Sequence, residues 1–211
     1  DGGMEALSKK LAWVPGAVLI ALAAVIWGTD ELLRGELVNR EKPLSPETIV
    51  FSEHLFLCLA VSPFILRTFK AARSKLNLVD WISVLLVGAG ASAIAVILFT
   101  NALGKSFGLG DNGVSVFLLQ KLQPFIAVAG AAFLLHEKLH ERFWMFFVAG
   151  VAFAYVLSFG FTTSPRVKHV EVAVLAASAA ALWGMGTVLG RSLSLKLKFE
   201  EVATLRFTVG L

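Results

Sequence analysis

Long apolar segments separated by short charged or turn-forming stretches follow one another along the chain. A helix needs about 20 mostly apolar residues to cross the hydrocarbon core of a bilayer, within a range of about 17–25. Six segments are close to this length, and a seventh begins near Val202 and continues to Leu211. The six are residues 12–28, 48–66, 79–103, 113–135, 143–161 and 170–189. The pattern predicts an all-α membrane protein, a polytopic bundle of transmembrane helices.

The composition agrees with this class. Hydrophobic residues make up 57% of the 211 residues and charged residues 16%, whereas a soluble domain has about 45–50% and about 25%. The single cysteine, Cys58, excludes a disulfide framework and a CxxC metal site. The net charge of +4 does not indicate nucleic-acid binding, because in a membrane protein the position of basic residues matters more than their sum. We expect no nucleic-acid partner, no metal and no cofactor.

Basic residues in the predicted loops indicate the orientation of the chain. If the N-terminal segment 1–10 is cytoplasmic, eleven loop Lys and Arg residues lie inside and six, among them Arg34, lie outside. Segment 67–75 contributes most to this difference because it has four basic residues and no acidic one. We predict a multi-pass protein of the cytoplasmic (inner) membrane with a cytoplasmic N-terminus and a first helix that is retained rather than cleaved.

A short motif occurs twice. LAAVIWG at 22–28 is similar to SAAALWG at 178–184, and VFSEHL at 50–55 aligns with VATLRF at 202–207, so Trp27 corresponds to Trp183 and His54 to Arg206. The copies lie five predicted helices apart, so the second enters the membrane in the opposite orientation. Inverted repeats of this kind are typical of secondary transporters, which bind substrate near the membrane midplane between the repeats. We predict a first repeat at 11–162 and the start of a second at 163–211.

The fourth predicted helix carries a pattern known from one family. LLQKLQPFIA at 118–127 places Pro124 in mid-helix, and LLHEKL at 134–139 contains Glu137. Together with the Trp-Gly pairs and a basic residue early in helices 2 and 7, the chain resembles the EamA-type transporters of the drug/metabolite transporter (DMT) superfamily from about residue 11 onward. The helix 2 position departs from the pattern, since it holds His54 preceded by Glu53.

The resemblance implies ten helices in two repeats, cytoplasmic termini, and secondary transport, as an exporter or permease, of small metabolites or drugs through a central cavity. The chain starts with Asp1 and ends inside predicted helix 7. We therefore expect a fragment that is inactive in transport and whose uncovered apolar face favours self-association in the lipid bilayer. A non-transporting scaffold or a channel is the alternative function.

Charged residues inside the predicted spans indicate where a small-molecule substrate binds. Each costs at least about 2.5–3.5 kcal/mol at a helix centre and needs a partner or a wet cavity. Glu53 and Lys121 have similar predicted depth, so they form either a structural pair between helices 2 and 4 or part of a polar cavity in which Lys121 contacts an anion. The predicted substrate-binding residues are Lys121, Gln120, Gln123, Pro124, Glu53, His54, Asn101, Trp27 and Trp183.

Several of these features have a structural interpretation as well. Pro124 frees a backbone carbonyl and can act as a hinge, a substrate contact or a packing feature. Trp27 and Trp183 either anchor helix ends at the membrane interface or line the cavity. Asp30 and Glu31 are expected in the loop after helix 1.

No motif predicts an enzyme. Ser92 and His54 are the candidates for a serine nucleophile and its base, but Ser92 is more simply a small packing residue. The small residues of helix 6 are spaced for close helix packing: Ala176, Ala180, Gly184, Gly186 and Gly190.

Overall fold

A computed structural model describes residues 16–110, 113–136, 138–159, 161 and 167–211, without the side chains of residues 17, 20, 157, 158, 167 and 168. The predicted segment 1–10 and Glu137 lie outside these residues. The described residues form helices and no strand: α1 (Gly16–Asn39), α2 (Pro46–Lys75), α3 (Leu78–Gly108), α4 (Val114–Leu134), α5 (Phe143–Phe159), α6 (Val167–Ser194) and α7 (Phe199–Gly210).

Four helices in the described ranges are long and apolar enough to cross a membrane: α2, α3, α4 and the His169–Ser194 part of α6. Many large apolar side chains are exposed on the outside of the bundle, including Phe56, Leu66 and Phe153. Exposed apolar surface on this scale suits lipid rather than water. The predicted all-α, multi-pass membrane bundle is confirmed.

Two helices extend beyond their apolar runs. α2 continues through the basic segment 67–75, which the sequence analysis assigned to a loop. α1 continues to Asn39, so the expectation that Asp30 and Glu31 lie in a loop is wrong, and Arg34 is not a loop residue. Hydropathy marks where contact with lipid ends, but a helix continues wherever its polar side chains find water, a cavity or an ionic partner.

α3 and α4 are irregular near the middle of the bundle. In α3 a π-helical segment, Leu86–Ile94, lies between two α-helical segments, Leu78–Leu85 and Ala95–Gly108. π-helical turns are frequent at functional sites. α4 is interrupted at Lys121 and Leu122, and its second part begins with Pro124 in the first turn. Proline is tolerated there because a first-turn N–H has no partner within the helix.

α6 lies at the centre of the bundle and contacts α3, α4, α5 and α7. Its small residues permit close approach: Ala176 and Ala180 are fully buried, and a Cβ on Gly186 would overlap with the side chain of Ala91. A Cβ on Gly184 would come within 2.9 Å of Ile126. These contacts agree with the expected packing role of Ala176, Ala180, Gly184 and Gly186, whereas Gly190 has open space beside it, so the expectation is wrong there.

Ion pairs identify which helix ends share a side of the bundle. Lys75 at the end of α2 lies 3.4 Å from Glu201 of α7, and Lys196 after α6 lies 2.7 Å from Asp80 of α3. At the opposite end, Lys105 of α3 pairs with Glu171 of α6 at 3.0 Å. The basic segment 67–75 and the α6–α7 loop therefore lie on the same side.

Candidate functional site

A cavity of about 420 Å³ lies inside the bundle between α1, α3, α4, α6 and α7. We refer to it as the central cavity. Its size falls within the range of about 300–1,000 Å³ that is usual for small-molecule sites. Its walls carry aromatic, charged and amide side chains, among them Trp27, Asp30, Glu31, Arg34, Phe99, Gln123, Trp183, Thr187 and Arg206.

The two repeat-related tryptophans meet on the wall of the central cavity. The rings of Trp27 and Trp183 lie edge to face, with centroids 6.3 Å apart and an angle of 86° between their planes. Trp183 is buried and also packs against Phe99, whereas the side chain of Trp27 is 48% exposed. Trp183 is thus held in place, and Trp27 offers aromatic surface to a ligand.

Arg34 is a buried cation on one wall of the central cavity, with 5% of its surface exposed. Its Nη2 donates to Glu53 Oε1 at 2.6 Å and to Asp30 Oδ2 at 3.1 Å, and its Nη1 donates to Thr100 Oγ1 at 3.3 Å. Two carboxylates therefore neutralise this arginine, and its main role is to join α1, α2 and α3.

Arg206 reaches the cavity from α7 and is held through a chain of hydrogen bonds. Its Nε donates to Ser92 Oγ at 3.2 Å, and Ser92 Oγ lies 3.0 Å from Nε2 of His54. His54 Nδ1 lies 2.9 Å from the carbonyl oxygen of Val50, which can only accept, so Nδ1 carries a hydrogen. In the neutral imidazole Nε2 is then an acceptor, and the Ser92 hydroxyl donates to it while accepting from Arg206.

Arg206 and Glu31 are the charged residues of the cavity wall that form no ion pair within the described residues. The Nε of Arg206 is engaged by Ser92, which leaves its Nη groups for a ligand. One unpaired cation and one unpaired anion suit a polar molecule that is uncharged or zwitterionic better than a strongly charged one.

A second, smaller space of about 310 Å³ lies at the interruption of α4, between α4 and α1. We call it the α4 chamber. Gln120, Lys121, Gln123 and Pro124 line it from α4, and it shares Trp27, Glu31 and Gln123 with the central cavity. The two spaces are therefore neighbours separated by shared side chains.

The structure distributes the predicted site residues over three places. Trp27, Trp183 and Gln123 line the central cavity, and Gln120, Lys121 and Pro124 line the α4 chamber. In the described part of the chain, Glu53 and His54 line neither space but hold Arg34 and Arg206, and Asn101 lines neither space.

Neither alternative for Glu53 and Lys121, a structural pair or a shared polar cavity, is found among the described residues. Glu53 pairs with Arg34, and Lys121 is exposed and forms no ion pair within the described ranges. Two residues at equal depth on two helices can point in different directions. Depth alone therefore does not predict which side chains pair.

Arg34, Asp30 and Glu31 line the cavity but are not among the residues predicted from the sequence. The signal that could have found them is the i,i+4 spacing of Asp30 and Arg34, which form an ion pair along one helix face at 3.1 Å. Arg206 was noted as a basic residue that corresponds to His54 but was not included among the predicted binding residues.

A membrane helix bundle with an internal polar cavity defines the class of protein, and comparison with known proteins identifies the family. The sequence profile of the EamA-like transporter family matches residues 14–159. This chain belongs to that family, and the resemblance found in the sequence is confirmed.

One curated relative is the riboflavin transporter ImpX of Fusobacterium nucleatum subsp. nucleatum, with 27% identity over 198 residues. The alignment covers 92% of this chain and 64% of that protein, so the chain spans somewhat less than two thirds of the relative's length. No solved structure matches the chain significantly.

Proposed function

We propose that this chain contributes the substrate pathway of a secondary transporter that carries small metabolites across the membrane. The observation that carries the proposal is the central cavity, which lies in mid-bundle. Its walls carry two tryptophans, and a cation and an anion that have no ion-pair partner within the described residues. Family membership supports the same conclusion.

The second part of the proposal is that the cavity lies between two inverted repeats, one at 11–162 and one beginning at 163–211. Residues at corresponding positions of the two copies meet at the centre of the bundle. Trp27 packs against Trp183, and His54 and Arg206 both hydrogen-bond to Ser92. Such a meeting supports a pseudo-two-fold relation, because residues near a two-fold axis approach their own counterparts.

The substrate that we propose to test first is riboflavin, which the relative is named as transporting. Riboflavin is uncharged, and its planar ring system can stack on the exposed face of Trp27 while its ring oxygens and nitrogens accept hydrogen bonds from Arg206 and Gln123. These features fit the aromatic and nearly neutral walls of the central cavity.

The environment of Ser92 supports transport rather than catalysis. Ser92 Oγ lies within hydrogen-bond distance of His54, as a nucleophile and its base would, but Ser92 is 3% exposed and its oxygen also accepts from Arg206. A buried hydroxyl that connects three helices in this way favours a structural role for Ser92.

Ligand binding to the chain in lipid nanodiscs tests the proposal. We expect riboflavin to quench the tryptophan fluorescence and Arg206→Gln to weaken binding about ten- to a hundredfold, because a hydrogen bond to a charged group contributes about 1.5–3 kcal/mol. Arg73→Gln is the matched control, since Arg73 is exposed near the end of α2. Uptake of riboflavin into liposomes that contain the chain measures transport itself.

The proposal fails if a panel of small metabolites that includes riboflavin shows neither binding nor uptake. It also fails if Arg206→Gln and Arg73→Gln bind the ligand equally well, because the central cavity is then not the binding site.

A further inference from the structure

A groove of about 570 Å³ lies between the last turns of α2 and the start of α3, on the side of the bundle that carries the basic segment 67–75. We call it the basic groove. Two aromatic and two basic side chains line it: Phe69, Lys70, Arg73 and Trp81. Within the described ranges it shares no lining residue with the central cavity, so it is a separate feature of the molecule.

The two aromatic side chains form the floor of the basic groove. The rings of Phe69 and Trp81 stack, with centroids 6.1 Å apart and an angle of 28° between their planes. Both pack against a buried apolar cluster that includes Ala72 and Val84, so the core of the bundle holds them in place. Tryptophan is enriched at the level of the lipid headgroups, because its ring is apolar and its N–H is polar. The floor is therefore rigid and suited to the membrane interface.

The two cations of the basic groove have no ion-pair partner in the part of the chain that the structure describes. Lys70 and Arg73 are exposed and lie three residues apart, so they share one face of α2. Two other lysines at the same end of the bundle are each paired with a carboxylate: Lys75 with Glu201 and Lys196 with Asp80. Those carboxylates are thus already engaged, and the groove presents two positive charges to an anion from outside.

The basic groove lies where the apolar surface of the bundle ends. α2 has 30 residues and is about 45 Å long at about 1.5 Å per residue, whereas the hydrocarbon core of a bilayer is about 30 Å thick. Leu66 is 86% exposed and precedes Lys70 by one turn on the same face of α2. Leu85 is 55% exposed and follows Trp81 by one turn on α3. Apolar surface that suits acyl chains therefore leads directly into the groove from both helices.

We infer that the basic groove binds an anionic phospholipid of the membrane leaflet on this side of the bundle. The lipid phosphate supplies the partner that Lys70 and Arg73 lack, the glycerol region covers the two aromatic rings, and the acyl chains continue along the apolar surface beside Leu66. Basic pockets between membrane helices are known to bind anionic headgroups. This inference goes beyond the proposed function and does not rest on it.

Charge and apolar surface together favour an anionic phospholipid over other ligands. A choline or ethanolamine headgroup carries an ammonium group that the two cations of the groove repel, whereas a glycerol headgroup adds no positive charge. A soluble anion such as inorganic phosphate would satisfy the cations but would leave the aromatic floor and the adjoining apolar surface without a contact. An anionic phospholipid is the ligand that uses both parts of the groove.

Native mass spectrometry of the chain, released from detergent micelles that contain equal amounts of phosphatidylglycerol and phosphatidylcholine, tests the site. We expect the chain to retain phosphatidylglycerol with a preference of about tenfold, because each cation near the membrane surface favours an anionic lipid. Lys70→Gln with Arg73→Gln should lose this preference. The matched control is Arg40→Gln with Lys42→Gln, which removes the same charge from exposed positions between α1 and α2 and should keep it.

Thermal unfolding in phosphatidylcholine verifies that both double variants fold. The groove variant should unfold near the temperature of the unaltered chain, because Lys70 and Arg73 have no ion-pair partner in the described ranges. Phosphatidylglycerol should raise the unfolding temperature of the unaltered chain and of the control variant, since a ligand that binds the folded state stabilises it. It should not raise that of the groove variant.

Quenching of tryptophan fluorescence locates the lipid without altering either cation. Phospholipids with bromine atoms near the ester end of the acyl chains quench an indole that they contact. The difference in emission between the unaltered chain and Trp81→Phe isolates the contribution of Trp81 among the five tryptophans. We expect brominated phosphatidylglycerol to quench this contribution more strongly than brominated phosphatidylcholine.

Three results would overturn the lipid site: equal retention of the two lipids, an unchanged preference in the groove variant, or equal quenching of Trp81 by both brominated lipids. Displacement of the retained lipid by glycerol 3-phosphate at millimolar concentration would also overturn it, because the groove would then bind a soluble anion. None of these measurements involves riboflavin, so the lipid site and the proposed function stand or fall separately. For the same reason Arg73→Gln remains a control for ligand binding in the central cavity, with which the groove shares no lining residue among the described residues.

Discussion

Glu53 and His54 are neighbours on α2, and each holds a different arginine of the central cavity. Glu53 pairs directly with Arg34, and His54 reaches Arg206 through Ser92. Charged side chains inside a membrane protein need partners of this kind. A single turn of α2, which does not line the cavity itself, therefore orients both cations.

Replacement of Glu53 tests this arrangement. Glu53→Gln should destabilise the protein by about 1–3 kcal/mol, because buried Arg34 loses its shortest charged hydrogen bond. The double variant Arg34→Gln with Glu53→Gln should recover part of that loss, because the buried cation is removed and the carboxylate that remains, Asp30, is half exposed. Thermal unfolding in detergent measures both.

Lys121→Met is the comparison for Glu53→Gln. Lys121 is exposed and unpaired within the described residues, so its loss should leave the unfolding temperature nearly unchanged. A large destabilisation by Lys121→Met, together with none by Glu53→Gln, would contradict the assignment of Arg34 as the partner of Glu53.

The sequence predicted the types of residue in the site better than their partners. Trp27, Trp183, Gln120 and Lys121 could be found because aromatic, amide and charged residues are conspicuous in an apolar run. Arg34 was harder to find, because a helix face that borders a wet cavity has the same composition as a loop, and only its i,i+4 spacing from Asp30 indicates a helix. Partners depend on the rotation of each helix, which one sequence does not determine.

At the scale of the helices, the apolar runs predicted α2, α3, α4 and α6 because lipid requires long apolar helices in which the backbone hydrogen bonds are made internally. The π-helical segment of α3 could not be predicted, since it depends on contacts made in the bundle. There a Cβ on Gly88 would meet Val209 of α7 at 2.7 Å, and Ser92 joins α2 to α7. The irregular segment is thus the part of α3 that lies closest to α7 and connects it to α2.

The crossing of α6 and α3 depends on the absence of a side chain at Gly186. Gly186→Ala would place a methyl group against Ala91 and should destabilise the protein by about 1–3 kcal/mol through overpacking. Gly190→Ala is the matched control one helical turn later, because a Cβ there meets nothing within 4 Å. It should be neutral or stabilise by up to about 1 kcal/mol, as alanine is the better helix former.

Thermal unfolding of the two glycine variants shows whether a change in stability comes from the close crossing of α6 and α3 or from the higher helix propensity of alanine. If Gly186→Ala unfolds at the temperature of the unaltered protein or above it, α6 and α3 do not approach each other as closely as the structure indicates. Equal destabilisation by both variants would contradict the open space beside Gly190.

For the whole molecule, the ion pairs at the two ends of the bundle establish which loops share a side, and the basic residues suggest which side is cytoplasmic. Segment 67–75, with four basic residues and no acidic one, adjoins the end of α6 through the pairs Lys75–Glu201 and Lys196–Asp80. The positive-inside rule favours the cytoplasm for this side.

Cysteine labelling in intact cells tests the orientation. In a Cys58→Ala background, Ser74→Cys at the end of α2 and Leu195→Cys after α6 should resist a membrane-impermeant maleimide until the cells are opened, because both adjoin the basic side. Glu41→Cys, in the exposed connection between α1 and α2, should react from outside. Labelling of Ser74→Cys and Leu195→Cys from outside, with Glu41→Cys protected, would reverse the orientation without altering the fold. Labelling of Ser74→Cys and Glu41→Cys from the same side would show that α2 does not cross the membrane, which would contradict the fold itself.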